Sequence, residues 1–286
     1  MKEVLNIARK CRSCLKAKCQ QACPLSQNIP LITKLINNND IVEAYNILSM
    51  HNPFGYVTSI LCNHEKQCAG NCLFKEVDFY HIENKLSTLY FSQTITYPST
   101  LEDKKIAIIG GGIAGLTLAH SLLKQGIKPT IYEKNQLGGV IISAIPEFRF
   151  DKTLFKQHIK EIEKRANVIY QEVTLENLNV LNNYEHVIFT TGAEIENRAL
   201  SSNNVLQGIE VLKSINNNAC TLTNKKLAVI GLGNTACDVA RSLARLHNDV
   251  KIIYRRDVAS SPATLKELSA LKEENIAIKE AMEKLC

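Results

Sequence analysis

The chain has 286 residues, 45% of them hydrophobic, and a formal net charge of +6 at pH 7. This length allows two or three domains with buried cores. There is no apolar run of membrane-spanning length, no apolar signal-peptide core and no long basic run, which argues against membrane insertion, secretion and nucleic-acid binding. We therefore expect a folded cytoplasmic protein that binds neither membrane nor nucleic acid.

Residues 1–98 contain seven of the ten cysteines of the chain. The first set, CRSCLKAKCQQACP, has the spacing C-x2-C-x4-C-x3-C-P, and the second set, CNHEKQCAGNC, has the spacing C-x5-C-x3-C. Between them, apolar residues recur at helical spacing, as in IPLITKLINNNDIVEAYNIL. This pattern predicts a small all-helical domain held together by its cysteines. The following stretch, TYPSTLEDKK, has the composition of a linker.

The cysteine spacings favour metal ligation, because disulfides are rare in a reducing compartment. Zinc sites favour two C-x2-C pairs, and only one such pair occurs here. A closer match is the ferredoxin-type run that ends in Cys-Pro, in which the fourth cysteine binds the other of two clusters. Seven cysteines cannot fill eight ligand positions, so one cluster has a non-cysteine ligand or one cysteine is unused. A zinc-bound module remains an alternative.

From Lys105 onward, short apolar strands alternate with amphipathic helices such as IAGLTLAHSLLKQG. The predicted strands are KIAIIGGG, PTIYEK, HVIFTTG, KLAVIGLG and VKIIYRR. Strands and helices in this order are typical of parallel sheets. We therefore predict an α + α/β fold, with the helical domain over 1–98 followed by two Rossmann-like, doubly wound lobes over 99–222 and 223–286.

The first glycine motif is Gly110-x-Gly112-x-x-Gly115, which follows a strand and opens a helix, and Glu133 ends the next strand. Together these features form a dinucleotide-binding fingerprint. The glycines let backbone amides and the helix N-terminus approach a pyrophosphate, and the carboxylate can accept hydrogen bonds from ribose hydroxyls. This pattern predicts a nucleotide site in the first lobe.

The second glycine motif is Gly231-x-Gly233-x-x-Ala236, and the strand that follows it ends in Arg255 and Arg256. A carboxylate at this position would repel a 2′-phosphate, whereas arginines can pair with one in bidentate fashion. We therefore predict that the second lobe prefers NADP(H). The alternative is that these are surface arginines without a ligand.

Taken together, the motifs resemble the small subunit of bacterial glutamate synthase, whose two-cluster and flavin modules recur in dihydropyrimidine dehydrogenase. The resemblance covers nearly the whole chain and includes both cysteine sets, KIAIIGGGIAGL, IPEFR and GLGNTACDVAR. It implies two [4Fe–4S] clusters in the helical domain, FAD in the first lobe and NADPH in the second.

The resemblance also implies which residues hold each group. The first cluster would be held by Cys11, Cys14, Cys19 and Cys72. The second would be held by Cys23, Cys62, Cys68 and Glu83, the last standing where the family has Glu or Gln. The segment before this glutamate is shorter than in the family, and a surface glutamate is the alternative.

The nucleotide contacts carry over in the same way. The flavin would contact Gly110, Gly111, Gly112, Ile113, Ala114, Gly115, Glu133, Gly139, Val140 and Arg149. The pyridine nucleotide would contact Gly231, Gly233, Asn234, Thr235, Arg255 and Arg256.

The function that the resemblance implies is electron transfer. NADPH would reduce FAD, and the clusters would pass electrons singly to a larger partner subunit, as in glutamate synthase. No side chain is expected to act as an acid or base. The family's closing flavin segment follows its NADPH domain, whereas this chain stops at EKLC, so we expect an incomplete second lobe. The alternative is a non-enzymatic iron–sulfur or interaction subunit with empty nucleotide lobes.

Overall fold

The computed structural model describes residues 1–193, 202 and 204–280. The chain forms two compact units, the first from Met1–Gly139 and Phe150–Gly192 and the second from Val140–Arg149 and Ala193–Cys286. The domain boundaries expected from the sequence, after residues 98 and 222, stay predictions. Among the described residues, no helix is long and apolar enough to cross a membrane.

The N-terminal part of the first unit is helical, as predicted. Its helices are α1 (Lys2–Arg9), α2 (Lys18–Gln21), α3 (Ile29–Asn37), α4 (Ile41–His51), α5 (Gly55–Leu61), α6 (Phe79–Leu89) and α7 (Phe91–Thr94). Their buried faces form one core that includes Ile32, Ile36, Leu48, Ile82 and Leu86. Several of the cysteines contact this core, so the cysteine loops are attached to a packed scaffold.

The helical stretch predicted between the cysteine sets consists of two helices, α3 and α4. Asn28 begins α3, because its side-chain oxygen accepts a hydrogen bond from the Leu31 amide at 3.2 Å. Asn39 has a φ of 65° and turns the chain between the two helices. Asparagine tolerates this left-handed conformation better than most residues.

The rest of the first unit is a four-stranded parallel sheet with helices. Its elements are β1 (Ile106–Ile109), α8 (Ile113–Lys124), β2 (Thr130–Glu133), α10 (Thr153–Glu163), β3 (Asn167–Tyr170), a 3₁₀ segment (Leu175–Leu181) and β4 (His186–Phe189). The strand order is β3-β2-β1-β4, with Ile108 paired to Ile131 on one side and to Ile188 on the other. Buried apolar residues run along β1 and β2, as expected for the centre of a parallel sheet.

A neutral hydrogen-bond network is buried beside α8 and α10. His120 of α8 and His158 of α10 are hydrogen-bonded to each other at 2.9 Å and share the hydroxyl of Tyr97. The Tyr56 hydroxyl lies 3.1 Å from the other ring nitrogen of His158. Burial lowers the pKa of His120 to about 3, and it lowers the pKa of His158 well below the usual value. Both rings are therefore neutral in the folded protein at pH 7.

The second unit contains a three-stranded parallel sheet in the order β5-β6-β7. Its elements are α11 (Gly208–Asn216), β5 (Lys226–Ile230), α12 (Asn234–Ala244), β6 (Asp249–Ile253), a 3₁₀ segment (Val258–Ser260), α13 (Leu265–Glu273) and β7 (Ala277–Lys279). The short helix α9 (Gly139–Ser143) begins at the boundary between the units. The two parallel sheets and the helical N-terminal part confirm the predicted fold class.

Candidate cofactor sites

The four cysteines expected at the first cluster line one cavity. Cys11 and Cys14 follow α1, Cys19 lies in α2, and Cys72 lies in the second cysteine loop. Burial raises the pKa of the Cys19 thiol, and repulsion from Cys72 and Cys11 adds to that rise. These residues, which are distant in sequence, are therefore electrostatic neighbours. The cavity wall also includes Cys68 and the exposed basic residues Lys10, Arg12 and Lys18.

The residues expected at the second cluster form another group of electrostatic neighbours. Burial raises the pKa of Cys62 to about 11, with repulsion from Glu83 and Cys23 as further causes. Burial likewise raises the pKa of Cys68 to about 12, and Glu83, Cys23 and Cys62 contribute to this rise. Cys68 thus lines the first cavity but interacts electrostatically with the second group.

Glu83 is a buried carboxylate, not a surface residue. It lies on the core-facing side of α6 and is 5% exposed. Burial raises its pKa to about 7, although hydrogen bonds from Thr58 and Asn52 partly oppose this rise. Within the described part of the chain, no Lys, Arg or His side chain forms an ion pair with it.

These donors fit the chemistry of iron–sulfur clusters. Clusters are held by thiolates, and positive iron beside buried thiolates offsets the electrostatic cost of burying them. The same applies to a buried carboxylate without a cationic partner. The described residues bring no three His, Cys, Asp or Glu side chains together as ligands of a single metal ion. The grouping rests instead on the shared cavity and on the mutual electrostatic effects of the thiols.

The first glycine loop connects β1 to α8 and is tightly packed. A Cβ atom on Gly115 would lie 2.0 Å from the Gly110 carbonyl oxygen, so only glycine fits at that position. The Thr190 hydroxyl donates to the Gly110 carbonyl oxygen at 2.8 Å and fixes the loop to the end of β4. A Cβ on Gly112, by contrast, would meet no described atom within 4 Å. The N-terminus of α8 therefore faces open space, as a pyrophosphate site requires.

Glu133 ends β2 beside this loop, as predicted. Its Oε2 accepts a hydrogen bond from the Gly111 amide at 2.7 Å, and its Oε1 accepts one from the Asn135 amide at 2.9 Å. Each carboxylate oxygen has a further lone pair with which it can accept from a hydroxyl group. Gly139 also contacts the loop, because a Cβ on it would lie 3.0 Å from the Gly112 Cα. These four predicted flavin contacts thus lie in one place.

Val140 and Arg149 are placed in the second unit, within the segment 140–149. Val140 is exposed, whereas the Arg149 guanidinium is buried and pairs with Asp238 and with Glu267, the latter at 3.4 Å. Glu267 also accepts from Arg241 at 2.7 Å, so the pairs form a continuous network. Burial raises the pKa of Asp238 to about 6, and the charge of Arg149 opposes this rise. A flavin contact by Val140 or Arg149 stays a prediction.

The second glycine loop connects β5 to α12 and has the same backbone turn as the first. Gly110 and Gly231 have φ values of 107° and 108°. The Asn234 side-chain oxygen accepts from the Thr264 amide at 3.0 Å, so this predicted pyrophosphate contact already has a protein partner. Arg255 and Arg256 follow β6 and are exposed. Neither has a hydrogen-bond or ion-pair partner among the described residues, which leaves both guanidinium groups free for an anion.

Two known protein families match this chain. The family described as pyridine nucleotide-disulphide oxidoreductase matches residues 104–281. The chain belongs to this oxidoreductase family. Residues 1–93 match a second family, described as dihydropyrimidine dehydrogenase domain II, 4Fe-4S cluster. The expected class, a pyridine-nucleotide-dependent flavoprotein oxidoreductase with an N-terminal iron–sulfur part, is thereby confirmed.

Curated relatives of this oxidoreductase extend over nearly the whole chain. The glutamate synthase [NADPH] small chain of Azospirillum brasilense is 26% identical over 94% of this chain and 62% of that protein. The NAD-dependent dihydropyrimidine dehydrogenase subunit PreT of Escherichia coli O157:H7 is 30% identical over 95% of this chain and 69% of that protein. These relatives confirm the resemblance to glutamate synthase small chains. The chain spans less than two thirds of the length of that Azospirillum relative.

A solved structure shares the fold of this oxidoreductase at low sequence identity. The 2-naphthoyl-CoA reductase complex with 2-naphthoyl-CoA has a TM-score of 0.55 and 13% identity, covering 90% of this chain and 41% of that chain. The likeness shows that the fold is shared.

Several residues at these sites could not be found by sequence reasoning. Asp238 lies within the motif GLGNTACDVAR but carries no sign that it pairs with an arginine far away in the chain. Thr190 lies in the predicted strand ending TTG, where a hydroxyl beside a glycine loop is a weak signal. Asn52 and Thr58 have no sequence signal at all, because their role depends on how the helices pack around Glu83.

Proposed function

We propose that the chain is an electron-transfer subunit that takes reducing equivalents from NADPH and delivers them, through FAD and two [4Fe–4S] clusters, to a larger partner protein. The partner would resemble the large subunit of glutamate synthase or another flavoenzyme. The chain matches only part of the length of its relatives, so the identity of the partner and the activity of the whole protein are part of this proposal.

The observation that carries the proposal is the separation of the cysteines into two groups. Cys23 is close in sequence to Cys19, yet its charge raises the thiol pKa values of Cys62 and Cys68. The thiol pKa of Cys19 is instead raised by Cys72 and Cys11. A single zinc site would not require Cys23 to group with the second cysteine set. Two adjacent clusters that share one Cys-Pro run would require it.

The nucleotide lobes supply position and charge. In the first, the open N-terminus of α8 and the Glu133 carboxylate are suited to a pyrophosphate and a ribose. In the second, the exposed guanidinium groups of Arg255 and Arg256 are suited to a 2′-phosphate. When bound, flavin accepts an electron pair from nicotinamide and releases electrons one at a time, which clusters require.

One preparation tests this function. We expect the chain, purified without oxygen, to hold about eight irons and one flavin, and we expect NADPH to bleach the flavin absorbance. Cys23→Ser should leave about four irons, because the ligands of the other cluster remain. Cys220→Ser is the matched control, since that free cysteine lies outside both groups, and it should keep all the iron.

Other outcomes separate the alternatives. Iron without flavin, even after flavin is added, would favour the non-enzymatic iron–sulfur subunit. Zinc without iron or sulfide would contradict both. Loss of all iron from Cys23→Ser, in a chain that is still folded by circular dichroism, would contradict the division into two groups.

A further inference from the structure

Asn52 is a buried amide at the C-terminal end of α4 and is 4% exposed. Its Nδ2 donates to Glu83 Oε1 at 2.8 Å and to Thr58 Oγ1 at 2.7 Å. Thr58 lies in α5 and Glu83 in α6, so one amide group joins three helices. Both protons of the amide nitrogen are used, which fixes the orientation of the side chain.

The buried Glu83 carboxylate is held by hydrogen bonds from Asn52 and Thr58. Its carboxylate is buried beside Cys62 and Cys68, whose thiols it influences, and it has no cationic partner among the described residues. A buried carboxylate is stable only when its oxygens are hydrogen-bonded or lie beside a positive group. Asn52 donates to one oxygen and the Thr58 hydroxyl also bonds to the carboxylate, but neither group carries a positive charge.

We propose that Asn52 is the positioning residue for the second cluster, holding Glu83 Oε1 so that Oε2 is the oxygen offered to iron. This inference rests on the proposed function, because it takes Glu83 as a ligand. Asn52 acts through Glu83 and does not itself bind iron. Hydrogen-bond partners of this kind orient metal ligands and tune their basicity.

The chemistry of the amide suits this role better than a cation would. A lysine or arginine at this position would neutralise the carboxylate and compete with iron for it. A neutral donor fixes the orientation of the carboxylate and leaves its charge available. Asn52 is itself held by the end of α4, because its backbone amide donates to the Leu48 carbonyl at 3.0 Å.

Asn52→Leu tests the proposal, because it keeps the side-chain size and removes the donor. The full chain is loaded with iron and sulfide without oxygen, and two quantities are measured: the rate at which a chelator removes iron, and the EPR spectrum after dithionite reduction. About half of the iron should leave about 10- to 100-fold faster, as is typical when a partner of a metal ligand is removed. The EPR signal that disappears in Cys23→Ser should be the one that shifts.

Gln27→Leu is the matched control. Gln27 is 1% exposed, and its Nε2 donates to the Leu48 carbonyl oxygen of the same helix at 2.9 Å. It should destabilise the helical part without changing either EPR signal. Wild-type iron release from Asn52→Leu would overturn the proposal, as would equally fast release of all the iron in both variants.

An exchange pair keeps the test decisive if Asn52→Leu does not fold. Asn52→Asp alone places two carboxyl groups together, whereas Asn52→Asp combined with Glu83→Gln restores the hydrogen bond with donor and acceptor reversed. The pair should retain the second cluster longer than Asn52→Asp alone, and equal loss would overturn the proposal. Wild-type chain that binds no iron would instead contradict the proposed function. Two clusters insensitive to every change at Asn52 would contradict this inference alone.

Discussion

The two glycine loops share a backbone turn but differ in how their helices are held. In the first loop, Gly115 lies so close to the Gly110 carbonyl oxygen that a Cβ does not fit, whereas Ala236 occupies the corresponding position of the second loop. The helix after the first loop buries the neutral His120, and the helix after the second buries the charged Asp238. The strand after the first loop, β2, ends in the carboxylate of Glu133, whereas the strand after the second loop, β6, is followed by Arg255 and Arg256.

Under the proposed function, one motif would serve two ligands. The loop geometry common to both would bind a pyrophosphate, and the side chain after the following strand would select between a ribose hydroxyl and a 2′-phosphate. The surrounding hydrogen bonds are then free to vary. Three predictions would break or sharpen the comparison.

The largest effect is expected from Gly115→Val. The new side chain would meet the Gly110 backbone and the Thr190 hydroxyl, so the helix would have to move away from the sheet. We expect destabilisation of at least about 1–3 kcal/mol and loss of bound flavin. Thermal unfolding and the flavin content of the purified chain measure both effects.

The second loop supplies the control for this change. Ala236→Gly should cost only about 1 kcal/mol, the usual effect of glycine in a helix, and should leave the flavin bound. Similar losses from the two variants would show that the loops are equally tight.

Lowering the pH should change the stabilising contributions of His120 in the first unit and Asp238 in the second in opposite directions. The pKa of His120 is about 3 when folded and near 6.5 when unfolded, so its stabilising contribution is complete above pH 6.5 and is lost as the pH falls toward 3. The pKa of Asp238 is raised from 3.8 to about 6, so its contribution is complete below pH 3.8 and is lost as the pH rises through 6.

Hydrogen exchange between pH 7 and pH 4 would measure this contrast. As the pH falls, the free energy of opening α8 and α10 should decrease more than that of α12. His120→Gln should reduce the pH dependence of the first unit, because one buried titrating group is removed. An equal decrease for α8 and α12 would contradict the assignment of one neutral and one ionic network.

The smallest of these effects is expected from Arg255→Ala combined with Arg256→Ala. Both arginines are exposed, and exposed ion pairs contribute about 0.2–1 kcal/mol each, so NADPH affinity should fall about 2- to 30-fold, with little change for NADH. Titration of both coenzymes measures the ratio. Equal losses would show that the arginines do not distinguish a 2′-phosphate.

Much of this architecture could be predicted from the sequence. The strands and the helices after each glycine motif follow from local periodicity and turn chemistry, which neighbouring residues determine. The grouping of Cys23 with Cys62 and Cys68 was also expected, but only through resemblance to a family, since spacing alone left alternatives open. The structure makes these three thiols electrostatic neighbours, and their role as ligands of one cluster stays a prediction.

Other features required the tertiary structure. A flavin contact by Arg149 stays a prediction, and only the structure shows that its guanidinium pairs with Asp238 and Glu267. Pairing of this kind depends on burial and on side chains far apart in the chain, so no local pattern encodes it.

What the sequence alone determined is the order of elements, the two glycine loops and the set of thiols, because each depends on residue type and spacing within a short window. Only the tertiary structure decided that Glu83 is buried with no cationic partner in the described part of the chain and that Asn52 donates to one of its oxygens. The physical reason is that the cost of burying a charge is set by everything packed around it. That environment forms only when α4, α5 and α6 come together.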